Sequence, residues 1–117
     1  MSGRDGIELY QDLQAALRRA EACVGQLRES GEEKARAESD YREGLAKAEL
    51  RLRADGHPAV LVRDLARGER EVARLYVKWQ CAESLYSATY EELQLRKREF
   101  DRLRDEARES EREAGWR

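Results

Sequence analysis

The chain has 117 residues, 41% of them charged and 40% hydrophobic, with a single proline and a single phenylalanine. That mixture suits long helices or disorder better than a compact sheet protein, in a single domain or a single extended unit that needs a partner chain. The net charge is only -2 with acids and bases interleaved, which excludes an acidic tail and a generally basic nucleic-acid binder.

Met1 to Gly6 reads as a short polar leader. From Leu13 the apolar positions step by four and three: Leu13, Leu17, Ala20, Val24, Leu27, Gly31, Lys34, Glu38, Tyr41, Leu45, Ala48 and Leu52. This alternation is the seam of a coiled-coil-like helix over about residues 7–54. Gly31, Lys34 and Glu38 weaken its middle, and Glu38 near Lys34 reads as a polar contact that sets register. Ser30 and Glu33 have capping-box spacing, which would allow a break beside Gly31. The heptad phase runs on unshifted across the glycine, which favours one continuous helix.

Residues 55–68 form an elbow. Gly56 supplies a stop and Pro58 forbids continuation, because it lacks an amide donor and clashes with the preceding turn. Ala59 to Arg67 reads as one or two helical turns with Val60, Leu61 and Leu65 facing inward, ended by Gly68. A second long helix follows over about residues 69–114. Its seam is Val72, Leu75, Trp79, Ala82, Tyr86, Thr89, Leu93, Arg96, Phe100, Leu103, Ala107, Ser110 and Ala114. Only Arg96 is out of character. The architecture expected is all-α: a long antiparallel two-helix hairpin, coiled-coil-like, with a short helical elbow at its tip. Folded about that elbow, the seams pair Leu45 with Trp79, Tyr41 with Ala82, Gly31 with Leu93 and Val24 with Phe100, so that large residues mostly face small ones. Two helices cannot cover the broad apolar face around Tyr76, Leu85 and Tyr90, so a homo-oligomer, dimer or higher, is expected.

No apolar run approaches the roughly 18 residues of a membrane span, and no signal-peptide core precedes the first helix. The expected location is the cytoplasm, without membrane contact. Cys23 and Cys81 are too few for a disulfide framework or a zinc site, and both lie just off the seams, too far apart for a bond. His57, the only histidine, reads as a solvent-facing turn residue. No nucleophile, base and orienter can be assembled, so no enzyme activity, metal or cofactor is expected.

The surface anomaly is basic. Arg63, Arg67, Arg70, Arg74 and Lys78 step by three and four, within a segment from Arg51 to Lys78 that holds seven bases and four acids. These five are the candidate partner-binding residues, for a protein partner or for nucleic acid. Local ion pairs with Asp64, Glu69 and Glu71 are the competing reading. Tyr76, Trp79, Leu85, Tyr86 and Tyr90 are the candidate oligomer interface.

The runs Asp40-Tyr41-Arg42, Leu45-Ala46-Lys47 and Leu50-Arg51-Leu52-Arg53-Ala54, with Gly56, Pro58, Asp64-Leu65-Ala66-Arg67-Gly68, Val72-Ala73 and Ala82-Glu83-Ser84-Leu85-Tyr86, resemble a group of small helical-hairpin proteins of tailed phages and prophages. The resemblance covers Tyr41 to Tyr90, and its most specific part is Gly-x-Pro followed by Asp-Leu-Ala-Arg-Gly. Lys78-Trp79-Gln80-Cys81 departs from the group's Asp-containing stretch, whereas the ending Gly115-Trp116-Arg117 is similar to the group's tryptophan-bearing C-termini. The resemblance implies a phage or prophage origin and an accessory role in replication or recombination, in the host cytoplasm. The alternative is a small phage inhibitor or nucleotide sponge that acts against a host defence system through the basic elbow.

Overall fold

A computed structural model describes residues 5–115. Met1–Arg4 of the expected leader and Trp116 and Arg117 of the ending lie outside the described residues. Three helices account for the described chain: α1 (Gly6–Ala54), α2 (Ala59–Gly68) and α3 (Arg70–Gly115), with no strand among the described residues. The helices contribute to two compact units, one joining the chain up to Arg28 with the chain from Ala88, the other Glu29–Ser87.

Asp5 starts α1 as a cap. The Glu8 amide donates to its carboxylate at 2.8 Å, which satisfies one of the helix's free N–H groups, and the Leu9 amide donates to its carbonyl at 3.0 Å as the first bond of the helix. Asp5 therefore belongs to the helix start rather than to a loose leader. α1 runs without interruption through Ser30 and Gly31, as the unshifted heptad phase predicts.

Its end is a Schellman motif. The Gly56 amide bonds the Arg53 carbonyl at 3.0 Å and the His57 amide reaches the Leu52 carbonyl at 3.2 Å. This closure needs a left-handed residue, and Gly56 supplies it at φ 88°. A β-carbon there costs roughly 1–2 kcal/mol, so Gly56→Ala should lower stability by about that amount. Thermal unfolding followed by circular dichroism measures it, and an unchanged midpoint would refute the cap's role.

α2 ends at Gly68, and α3 begins two residues later. Glu69 is the joint, with extended backbone (φ −66°, ψ 139°); its amide bonds the Ala66 carbonyl and its own carbonyl accepts from Ala73. One residue thus closes α2 and opens α3. The Glu69 side chain also meets Arg51 of α1 in an ion pair. The hydrogen bond from Arg51 holds the Glu69 carboxyl below its usual range, outweighing desolvation, and the Arg51 charge adds a smaller effect in the same direction.

In the unit Glu29–Ser87, the core joins Tyr41, Leu45, Ala48 and Leu52 of α1 to Val62 and Ala66 of α2 and Val72 of α3, with Leu75 and Trp79 packed against them. α2 thus seats Val62 and Ala66, at 1% and 0% exposure, and not the residues expected from sequence. Val60 is 85% exposed, and Leu61 and Leu65 are 49% and 42% exposed. The helix chooses the valine–alanine pair because a small face lets it sit close over the two long helices. Arg63 Nε on α2 bonds Glu49 of α1 at 3.0 Å.

Here α1 and α3 run antiparallel, one to two turns away from the register expected from sequence, with Tyr86 and not Leu93 facing Gly31. Tyr41 stacks on Trp79, with ring centroids 5.4 Å apart and planes 28° apart, where Ala82 was expected opposite Tyr41. A β-carbon at Gly44 would lie 2.6 Å from Leu75 Cδ1, and one at Gly31 would lie 3.4 Å from the Tyr86 ring. Lys34 Nζ stands 4.9 Å from the centroid of that ring, a cation–π contact that accommodates a charge on the seam. Glu38 pairs with Arg42 at 2.9 Å rather than with Lys34.

The seam of α1 also departs from the expected one. Its buried positions are Leu9, Ala16, Cys23, Ser30 and Ala37, seven residues apart, followed by Tyr41, Leu45, Ala48 and Leu52. Leu17 and Val24, expected inside, are 36% and 44% exposed. From Ala37 the steps to Tyr41 and Leu45 are both four, a stutter that brings the seam back to the phase read from sequence. Cys23 is accordingly a buried seam residue, whereas Cys81 is exposed; both thiols are free.

In the other unit, Leu9 and Ala16 of α1 and Leu103 of α3 form a core with Leu13, Phe100 and Ala107 against it. Arg19 bonds Glu99 across the two helices at 2.7 Å, which holds the Glu99 carboxyl below its usual range. Arg96, the misfit of the α3 seam, is half-buried and directed to Glu92 at 3.6 Å. No helix among the described residues is long and apolar enough to cross a membrane.

Candidate functional site

The site lies within the unit Glu29–Ser87, where all three helices meet around a half-open cavity of about 640 Å³. Its base is formed by buried Tyr41 and Leu45 with half-buried Trp79. One wall is Ala73, Tyr76 and Val77 of α3. Arginines supply the rest: Arg42 from α1, and Arg63 and Arg67 from α2. The volume falls within the range of small-molecule sites, about 300–1,000 Å³.

Three rings organise the interior. Tyr76 meets Tyr41 edge-on at 5.4 Å and Trp79 edge-on at 6.1 Å, while Tyr41 and Trp79 stack. Such edge-to-face and offset pairs are the arrangements that ring quadrupoles favour. The Arg42 guanidinium sits 6.0 Å from the Trp79 ring centroid, at the outer limit of a cation–π contact. The Trp79 indole N–H is buried with no hydrogen-bond partner among the described residues, so the ring is held by packing.

Two of the arginines have carboxylate partners: Arg42 with Glu38 at 2.9 Å and Arg63 with Glu49 at 3.0 Å. Arg67, exposed one turn beyond Arg63 on the same face of α2, makes no ion pair with a described residue. One cavity thus brings together an apolar, ring-lined interior and a positive rim.

The five basic residues expected to act together are divided by the joint at Glu69. Arg63 and Arg67 line the cavity, whereas Arg70, Arg74 and Lys78 are exposed on α3 and outside the lining. Arg74 is engaged by Glu71 at 2.6 Å, an interaction that lowers the Glu71 pKa and raises that of Arg74. The aromatic candidates divide as well. Trp79 and Tyr86 are half-buried against their own chain, Trp79 on Tyr41 and Tyr86 beside Gly31, while Tyr76 and Leu85 are exposed. Tyr90, also exposed, belongs to the other unit. Sequence reasoning did not single out Arg42 as a site residue and took Tyr41 only as core; no spacing signal distinguished either. His57 is exposed on the turn, and no group of three His, Cys, Asp or Glu among the described residues is arranged to hold a metal ion.

Set against models of protein families, curated proteins and solved structures, the chain finds no match.

Proposed function

We propose that the protein is a non-enzymatic, self-associating helical interaction protein that presents its elbow to a macromolecular partner. The observation that carries this reading is the apolar surface of α2. Leu61 and Leu65, one turn apart on the flank opposite Arg63 and Arg67, are left about half exposed by a helix already docked through Val62 and Ala66. They offer large aliphatic side chains to a second surface. A second copy of the chain is the simplest cover, forming a dimer or higher assembly. The resemblance to tailed-phage and prophage proteins supports a replication or recombination accessory in the host cytoplasm, with a protein as the partner and nucleic acid as the other candidate.

Light scattering coupled to sizing tests the self-association. At micromolar concentration the intact protein should run at the mass of a dimer or above, and the double variant Leu61→Glu/Leu65→Glu should run as a folded monomer. A wild-type monomer, or an assembly untouched by the double variant, would overturn the reading.

A further inference from the structure

We propose that the cavity between the three helices is a nucleotide site, with the base held against the Tyr76 ring and a phosphate held by Arg63 and Arg67. The inference does not depend on self-association; a monomer that binds nucleotide leaves it intact.

The rings argue for a planar ligand. Tyr41 and Trp79 occupy each other's faces, and Tyr76 meets both edge-on, at interplanar angles of 61° and 89°. Tyr76 is nonetheless 45% exposed and lines the cavity. It is therefore a braced ring with solvent-accessible surface, which is what stacking on a flat heterocycle requires. Stacking of this kind accepts any base, because every base has a π-face.

The arginines argue for a phosphate. Arg63 and Arg67 are four residues apart on α2 and line the same cavity. Their planar guanidinium groups suit the bidentate bonding of phosphate oxygens. Glu49 already engages Arg63, so Arg67, which has no ion pair with a described residue, makes the decisive contact, and Arg63 contributes through the guanidinium N–H groups that Glu49 leaves unused. An acidic peptide would satisfy the arginines and leave the ring trio without a planar partner. The combination of ring and anion in one cavity therefore favours a nucleotide. The same chemistry is offered by a free nucleotide and by one residue of a single strand.

Tryptophan emission provides the readout. In a Trp116→Phe background, Trp79 is the only indole and lines the cavity. Titration with adenosine and guanosine 5′-monophosphates, and separately with a short single-stranded oligonucleotide, should give saturable quenching. Arg67→Gln should weaken it by at least about tenfold, the effect of one charge-assisted contact, with the circular dichroism melt unchanged. Tyr76→Ala should weaken it comparably. Response to the mononucleotides assigns a free nucleotide; response to the oligonucleotide alone, with the same Arg67 dependence, assigns a single strand. Either supports the proposal. No saturable quenching with any nucleotide, equal affinity for inorganic phosphate, full affinity in Arg67→Gln, or a response only to a glutamate-rich peptide would overturn it.

Discussion

Replacing Val62 by aspartate should lower the unfolding free energy by about 3–5 kcal/mol. The expected loss combines the burial of a branched aliphatic side chain with the desolvation of a carboxyl that has no partner. Val62 is the largest side chain in the described structure with less than 2% exposure, and it seats α2 on the core of Tyr41, Leu45, Leu52 and Val72. Val62→Ala, which only removes methyl groups, should cost about 1–2 kcal/mol. Val60→Asp provides the control. That residue is two positions away, exposed, and should tolerate the charge within about 0.5 kcal/mol. Urea unfolding followed by helical circular dichroism ranks the three. If Val60→Asp is the damaging change, α2 docks through its other face.

Tyr41→Ala should be nearly as severe, at about 3–4 kcal/mol, because it removes the buried ring against which Tyr76 and Trp79 are braced. Tyr41→Phe keeps the ring and should cost less than about 1 kcal/mol. The pair separates ring packing from hydroxyl bonding: comparable losses from the two substitutions would show that the hydroxyl, and not the ring trio, stabilises this core. Near-ultraviolet dichroism of Trp79 should collapse in Tyr41→Ala and persist in Tyr41→Phe, measured in the Trp116→Phe background.

The legibility of the two long helices differs for a physical reason. α3 carries its bulk on the inward face, and its expected seam is buried or half-buried from Val72 to Ala107; only Ser110 and Ala114, near the end, are exposed. On α1 the inward positions include Ala16, Cys23, Ser30 and Ala37, while Leu17 and Val24 next to two of them are larger. A reading that rewards hydrophobicity selects the leucine and the valine. Close packing of helices rewards small side chains, as the short approach at Gly44 shows. The same preference hid the inward face of α2, where Val62 and Ala66 compete in the sequence with Leu61 and Leu65.

The site was legible in part. Arg63 and Arg67 stood out through local charge, but the spacing by three and four ran on into Arg70, Arg74 and Lys78 across the helix end expected at Gly68, and so grouped all five. The extended backbone at Glu69 breaks that phase, and nothing in the local composition distinguishes Glu69 from its helical neighbours. Arg42 follows a seam tyrosine and is indistinguishable in sequence from many other solvent-facing arginines.

The single-residue joint also limits how the cavity can breathe. With only Glu69 between α2 and α3, α2 has no slack at that end to slide along its neighbour. Any outward excursion of Arg63 and Arg67 must be a swing about Glu69, absorbed at the other end by residues 55–58, where Gly56 is the permissive hinge. The Arg51 contact to Glu69 steadies the pivot itself. The backbone positions of the two arginines therefore move together on one helix, so opening of the cavity changes the angle of α2 and not the order in which the two residues face it.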